Sequence, residues 1–329
     1  MDIYFAPMQG ITDAPYRRAH RARFGGIAKY YTPFLSPTGE RQLTHKALRD
    51  ISPEHNAGLR VIPQILAAKP DPFLFAAHML ADLGWQEVNL NLGCPSGTVT
   101  AKGKGSGLLR DLDALALFLD EIYDKAPLPV SIKARIGWRD PEEFPALLEL
   151  LNRYPIPELI LHARTREDFY GGTPNRTAFA YAVRQARMPM VYNGDLFDLA
   201  TCRRLAETLA PSAVMLGRGL AANPALARTL QGGAPLSQEE LCAFHEDLLA
   251  IYTPAFGPAA ALGRMRELGK NMLCCFENAR EARKAIQKAR TLDHYRDAMN
   301  RLFEHGTLRP DPGFIADGSK SGQAGLWMS

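Results

Sequence analysis

The sequence predicts an α/β chain, a (β/α)8 TIM barrel followed by a small C-terminal helical domain. Three observations carry that expectation. A short apolar or β-branched run, a loop rich in glycine, proline and polar residues, and a longer helical stretch repeat in this order over about 230 residues. The runs number eight, whereas a doubly wound sheet has about five or six strands. Past Gly232, Gly233 and Pro235 no further strand-like run appears, and only helical periodicity continues.

The eight runs lie at 3–8, 27–34, 60–66, 86–92, 129–135, 157–163, 189–194 and 212–217. Each is too short for a stable helix and suits a strand buried on both faces. Helices are expected near 13–23, 40–48, 71–83, 111–125, 142–153, 176–186, 197–209 and 220–230, because parallel neighbours need a crossover of that length. In the C-terminal part Ser237 and Glu240 have the spacing of a capping box. Helical periodicity follows near 237–252, 259–275, 278–290 and 293–304. On this reading residues 1–232 form the barrel and 233–308 the helical domain. Residues 309–329, rich in Gly, Ser and Pro with little to bury, form a disordered or loosely attached tail.

With 329 residues, 46% of them hydrophobic, the chain has ordinary globular composition and can bury a large core without disulfide or metal staples. The five cysteines are odd in number and include no CxxC and no His-rich partner at zinc spacing, so no metal is expected and a reducing compartment fits. No stretch reaches the ~20 apolar residues of a membrane helix, and MDIYFAPMQG carries no basic leader. We therefore expect a cytoplasmic protein with no membrane attachment, monomeric, with no protein partner implied. A net charge of +4 neither requires nor excludes a nucleic-acid partner, because clustering matters more than the total.

Active sites of such barrels lie at the C-terminal ends of the strands. Those ends carry Met8 and Gln9, Gln64, Asn89 and Asn91 with Cys94, Lys133 and Arg135, His162 and Arg164, Asn193 to Asp195, and Gly217 with Arg218. Alone, Gly217-Arg218-Gly219 reads equally as a tight turn. After strand eight it stands where barrels commonly bind phosphate through backbone N–H groups, with Arg218 able to add a bidentate contact and Asn193-Gly194-Asp195 facing it. An inward Lys133 is costly to bury unless it meets an anion, which a reduced flavin offers at its pyrimidine edge, and the Gln64 amide can pair with that edge. Cys94, between Gly93 and Pro95 with no base nearby in sequence, stays a protonated thiol at neutral pH and suits proton donation. A nucleophilic role and a merely buried thiol stay open at this point. Cys202, Cys242, Cys274 and Cys275 lie in expected helices and read as packing.

Several motifs together resemble those of the tRNA-dihydrouridine synthases. They are APMQGITDAPYR at 6–17, NLGCPS at 91–96, the glycine-rich loop from Gly103 to Leu109, IKARIGW at 132–138, HARTREDFY at 162–170, NGD at 193–195 and MLGRGLAANP at 215–224. The resemblance spans the barrel in order and extends to the helical part by architecture alone. It implies an FMN enzyme that reduces the C5=C6 bond of specific uridines in tRNA with electrons from NADPH. It also implies that Pro7, Met8 and Gln9 lie along the flavin, with Gln64 and Lys133 at its pyrimidine end. Asn193, Gly194, Asp195, Gly217 and Arg218 would surround its phosphate, and His162 would contact it too. Asn91 and Arg135 would meet the uracil, with Cys94 as general acid. Many members have Thr-Glu at the end of the second strand, where this chain reads Tyr31-Thr32-Pro33; that bears on substrate placement and leaves the flavin and cysteine positions alone. Nothing after Leu308 matches.

An RNA substrate would need a basic surface. From Arg264 to Arg301 the chain carries ten basic and five acidic residues. Arg280, Arg283, Lys284 and Lys288 share one helical face, which suits a phosphate backbone and suits a plain solvated face as well. Lys102 and Lys104 add charge beside Cys94. Among these, Arg283, Lys284 and Lys102 are the expected RNA contacts. The competing readings are an FMN-dependent reductase of a free pyrimidine, like the dihydroorotate or dihydropyrimidine dehydrogenases, a dihydrouridine synthase acting on rRNA, and a non-catalytic RNA-binding barrel.

Overall fold

A computed structural model of the chain describes residues 1–38 and 42–315. Its nine strands are β1 (Asp2–Phe5), β2 (Lys29–Tyr31), β3 (Val61–Ile62), β4 (Gln64–Ile65), β5 (Val88–Leu92), β6 (Val130–Arg135), β7 (Leu159–His162), β8 (Met190–Asn193) and β9 (Ala213–Leu216). All pairings are parallel, in the order β3-β2-β1-β9-β8-β7-β6-β5-β4. The run expected at 60–66 is interrupted at Pro63, which has no N–H to give the ladder. The Pro63 carbonyl still accepts the Asn89 N–H at 2.9 Å. Because β3 pairs with β2 and β4 with β5, this one interrupted strand closes the ring, and eight runs become an eight-stranded barrel.

Period two sorts the side chains. Ile3, Phe5, Tyr30, Leu90, Ile132, Leu161 and Val214 pack outward in the main apolar core, whereas Tyr4, Ala6, Tyr31, Ile62, Ile160, Val191, Ala213 and Met215 form a separate cluster inside the lumen. At the lumen floor the buried Glu158 carboxylate accepts from Lys29 Nζ (2.8 Å), Tyr31 OH (2.6 Å) and Tyr4 OH (3.0 Å). That pairing makes the buried charges tolerable. The same parity in β4 to β8 turns Gln64, Asn89, Asn91, Ser131, Lys133, Arg135, His162 and Asn193 inward, so the lumen becomes polar toward its mouth.

The crossovers include α1 (Ala14–Arg23), α2 (His45–Asp50), α3 (Pro70–Asp82), α4 (Gly97–Thr100), α5 (Leu112–Lys125), α6 (Phe144–Leu151), α7 (Arg176–Gln185) and α8 (Leu199–Leu209). Side-chain caps start many of them, with Asp13, Thr44, Asp111, Asn175 and Asp198 each accepting a first-turn N–H. The helix expected near 40–48 begins at His45, and residues 39–41 lie outside the described residues. The single helix expected near 220–230 is two, α9 (Arg218–Ala222) and α10 (Leu226–Leu230). Pro224 cannot continue α9, and Asn223 Oδ1 accepts the Ala225 N–H at 3.1 Å to start the next turn.

Beyond them come α11 (Gln238–Phe256), α12 (Pro258–Met272), α13 (Arg280–Lys288) and α14 (Leu292–His305). Ser237 and Glu240 close the capping box at the start of α11. These helices share one continuous core with the α1 side of the barrel, where Phe244 meets Tyr16 and Phe24 edge-on with ring centroids 5.5 and 5.2 Å apart. Residue 309, where a loose tail is expected to start, is still held by the fold, its N–H donating to the Cys275 carbonyl at 2.8 Å. Residues 309–315 return to the barrel, where Pro312 and Gly313 are buried and Asn223 Nδ2 donates to the Pro312 carbonyl at 2.9 Å. Residues 316–329 lie outside the described residues.

Candidate active site

Strand register builds the site. Asn91 is the Cα partner of Lys133, Arg135 of His162, His162 of Asn193 and Asn193 of Met215. One girdle of inward side chains therefore rings the mouth.

On the β4–β6 side the polar groups form a directed chain. Asn91 Oδ1 accepts the backbone N–H groups of Gly93 (3.0 Å) and Cys94 (2.9 Å). Its amide nitrogen must then donate, and it does so to Gln64 Oε1 at 2.7 Å. Gln64 Nε2 donates to Asn89 Oδ1 (2.8 Å), and Asn89 Nδ2 to Ser131 Oγ (3.1 Å). Two N–H groups of the cysteine loop thus set the amide orientation of Gln64, and with it the donor that Gln64 keeps. The Gln64 backbone N–H donates to Thr32 Oγ1 at 3.0 Å. At the position where many members of the resembling family carry Thr-Glu, Thr32 is part of the barrel closure.

Cys94 is 8% exposed. Its carbonyl accepts from the Ser106 backbone N–H at 3.2 Å and from Ser106 Oγ at 2.8 Å. A Cβ on Gly105, whose φ is +60°, would lie 2.9 Å from that carbonyl oxygen. The glycine-rich loop thus folds directly onto the cysteine, and only glycine permits the approach. Burial pushes the Cys94 thiol up, outweighing a hydrogen bond from the Ser96 backbone and the fields of Arg135 and Lys133, which pull it down. At neutral pH it is a thiol.

The opposite side gathers cations. Lys133 Nζ donates to Asn193 Oδ1 at 2.8 Å. Burial first, then Arg135, pushes its ammonium down to about 7. Arg135 is fully buried and donates to the carbonyls of Gly93 (2.9 Å), Thr165 (2.6 Å) and Phe169 (2.7 Å). Arg164, also buried, donates to the Gly171 and Gly172 carbonyls and to both oxygens of Asp195. Arg218 Nη2 donates to Asp195 Oδ1 at 2.8 Å. His162 Nε2 accepts from Arg164 Nη1 at 3.4 Å, so the ring is neutral there. Its proton affinity falls well below the usual histidine range through burial and then the cations Arg135, Lys133, Arg164 and Arg218. Asp195 is the carboxylate that pairs with Arg164 and Arg218.

Of the expected flavin-side residues, Gly217 comes close enough to Met8 that a Cβ there would sit 3.7 Å from Met8 Sδ. Gln9 is exposed at the rim, where its amide donates to the Phe34 carbonyl at 3.2 Å. Gly194 has φ +143°, and a Cβ on it would meet the His162 ring and Pro174 at 3.3 Å. Pro7 is half-buried beside Met8. Asp195, Asn91 and Arg135 are engaged with protein partners, so they order the loops around the mouth. Lys102 is exposed on the cysteine loop, and Arg283 and Lys284 lie on α13. Three features were not singled out in the sequence: the Arg164–Asp195 pair, the Asn89–Ser131 base of the amide chain, and the rings of Tyr170, Phe197 and Phe314 around Arg218. Inward parity was the available signal for the first two. Among the described residues no cluster suits a metal ion, and no helix is long and apolar enough to cross a membrane.

A parallel barrel with this polar, cation-rich mouth is the scaffold of an enzyme. The chain belongs to the dihydrouridine synthase family, whose model matches residues 4–307. A probable tRNA-dihydrouridine synthase of Rhodobacter capsulatus is 32% identical over 227 residues, 68% of each chain. The tRNA-dihydrouridine synthase B of Pasteurella multocida is 28% identical over 230 residues, 70% of this chain and 68% of that one. In fold, the chain is similar to a morphinone reductase mutant solved with tetrahydroNAD (TM-score 0.53, 12% identity, covering 72% of this chain and 88% of that one). It is similar too to a structure titled TcOYE with pHBA (TM-score 0.53, 10% identity, 71% and 90% covered).

Proposed function

We propose that this protein is a tRNA-dihydrouridine synthase that uses FMN and NADPH to reduce the C5=C6 bond of uridines in tRNA. The observation that carries the reading is the convergence of Lys133, Arg135, Arg164 and Arg218 at the lumen mouth, with Asp195 paired to Arg164 and Arg218 and a buried, protonated Cys94 on the neighbouring strand end. Buried cations short of counter-charge call for an anion. Asn193, Gly194, Gly217 and Arg218 would hold the phosphate of FMN, with Asp195 aiming the Arg218 guanidinium. Pro7, Met8, Gln9 and His162 would border its ring system, and Lys133 with the free Gln64 donor would meet the pyrimidine edge. When bound and reduced by NADPH, FMN supplies a hydride for C6 of the uracil.

The chain's own chemistry falls to Cys94. Its thiol would hold the proton that C5 receives on the other face, and the thiolate left behind would be stabilised by Lys133 and Arg135. Asn91 and Arg135 would keep the cysteine loop in place around the uracil. The RNA would run over Lys102 and the α13 face with Arg283 and Lys284.

Single-turnover reoxidation of the NADPH-reduced protein tests the reading. tRNA lacking dihydrouridine should reoxidise it far faster than free uridine or uracil. A preference for the free base would instead make it a small-molecule reductase, and a preference for rRNA would move the substrate.

A further inference from the structure

We propose that the segment after α14 is part of the cofactor site: Phe314 completes an aromatic box that holds Arg218 ready for the cofactor phosphate. The inference rests on the phosphate reading of Arg218 given above.

The segment is directed to this place. The Glu277 N–H donates to the Thr307 carbonyl at 2.9 Å and the Arg309 N–H to the Cys275 carbonyl at 2.8 Å, so the chain leaves α14 along a fixed line. The Asn223 side chain, just past the end of α9, then takes the Pro312 carbonyl at 2.9 Å. Gly313 follows, and a Cβ there would lie 2.5 Å from the Phe197 carbonyl oxygen, so no other residue could bring the chain this close. Phe314 lands on Phe197 with centroids 5.0 Å apart.

The consequence is at Arg218, the first residue of α9. Its guanidinium carbon lies 4.9 Å from the Tyr170 ring centroid, 4.8 Å from Phe197 and 5.0 Å from Phe314, and Asp195 takes one of its nitrogens. Tyr170 and Phe197 come from barrel loops; Phe314 is the wall brought from the far end of the chain. A free arginine loses much rotamer freedom when it grips a phosphate. Walls that fix it beforehand remove that cost from binding, and their faces attract the cation. Residues 309–315 thereby contribute to phosphate affinity.

The test compares FMN with riboflavin, which lacks the phosphate. Release of each flavin from the purified full-length protein is followed by recovery of flavin fluorescence after dilution. The proteins are wild type, Phe314→Ala, Phe314→Leu, Arg218→Ala and the Phe314→Ala/Arg218→Ala pair. Phe314→Leu keeps apolar contact with Phe197 and guards against a folding defect. Both Phe314 variants should release FMN about tenfold faster and riboflavin at the wild-type rate, and Phe314→Ala should add nothing once Arg218 is gone. Equal acceleration for both flavins, or an undiminished effect in the double variant, would overturn the proposal and make Phe314 a packing residue. If Arg218→Ala speeds FMN release and neither Phe314 variant does, the phosphate reading stands and the aromatic box fails. If Arg218→Ala also leaves FMN release unchanged, the phosphate reading fails with it.

Discussion

Cys94 shows how much one residue's role depends on its surroundings. Its type and its Gly-Pro flanks suggested a loop on the catalytic face. Burial then keeps it protonated, and the neighbouring cations ease loss of that proton. Cys94→Ala should retain flavin and remain reducible by NADPH, because neither process needs the thiol. Reoxidation by tRNA should slow by about 10²-fold or more, the scale of a positioned general acid. Cys94→Ser should keep a remnant, since a hydroxyl can donate but is the weaker acid. A thiol with a raised pKa is full below that value and empties only as pH rises through it. Loss of the thiol proton should therefore lower the wild-type reoxidation rate only above about pH 8, whereas loss of the proton of Lys133, whose ammonium is pushed down to about 7, should already lower it around neutrality. Stopped-flow reoxidation decides the matter, and wild-type speed in Cys94→Ala would leave the cysteine as loop packing.

At the scale of elements, the barrel strands and the basic helix behave differently. Each barrel strand is bounded on both faces, so its inward set was legible by counting in twos, and Gln64, Asn91, Lys133, Arg135, His162 and Asn193 all fall on that count. Pro63 and Pro224 mark where counting breaks down: one splits a strand and keeps its place in the ring, the other divides a helix. Helix α13 buries Ile286 and leaves Arg280, Lys284 and Lys288 exposed, with Arg283 half-buried. Lys284 pairs with Glu281 at 2.8 Å, and an exposed pair of this kind contributes little to stability. Binding can therefore compete for Lys284 at little cost in stability. Reversing Arg283 and Lys284 to Glu should weaken tRNA binding and flatten the plot of log K against log salt by about two phosphate contacts. NADPH should still reduce the flavin at the wild-type rate. Salt titrations of tRNA affinity check this, and an unaltered slope removes α13 from the RNA footprint.

Over the whole molecule, a small buried cluster joins α1 of the barrel to the C-terminal helices. Asp13 Oδ1 accepts the Tyr16 N–H at 3.2 Å and the Tyr252 hydroxyl at 2.7 Å, so the residue that caps α1 also ties it to α11. Arg264 of α12 approaches the same carboxylate at 4.0 Å. Burial raises the Asp13 carboxyl, and the Tyr252 hydrogen bond is the largest influence pulling it back down. A carboxyl raised in the folded state costs nothing well below its unfolded value of about 4, costs progressively more as pH climbs from there to the raised value, and costs a constant amount above it. Tyr252→Phe removes the compensating donor. It should destabilise the protein by about 1–3 kcal/mol at pH 7, and by less at about pH 3, below the unfolded value, where Asp13 is largely protonated in both states. Urea unfolding at the two pH values measures it; an equal loss at both would mean that the hydroxyl matters for packing and not for the charge.

The kinds of elements, their order and the parity of each strand can be read from the chain alone, because periodicity and chain punctuation are local properties. The chain also places Cys94, the glycines of its loop and the Gly217-Arg218 turn on the functional face, since every strand of a parallel barrel ends on the same side. Which partner each polar group takes emerges in the folded molecule. Asp195 reads from the chain as a phosphate neighbour, and in the fold it is the counter-charge of Arg164 and Arg218. Residues 309–315 read as loose tail, yet Asn223 and Phe197, each more than eighty residues earlier, give them a seat. Hydrogen bonds and ion pairs form with whatever the fold brings within about 3 Å, and that distance has no counterpart in sequence separation.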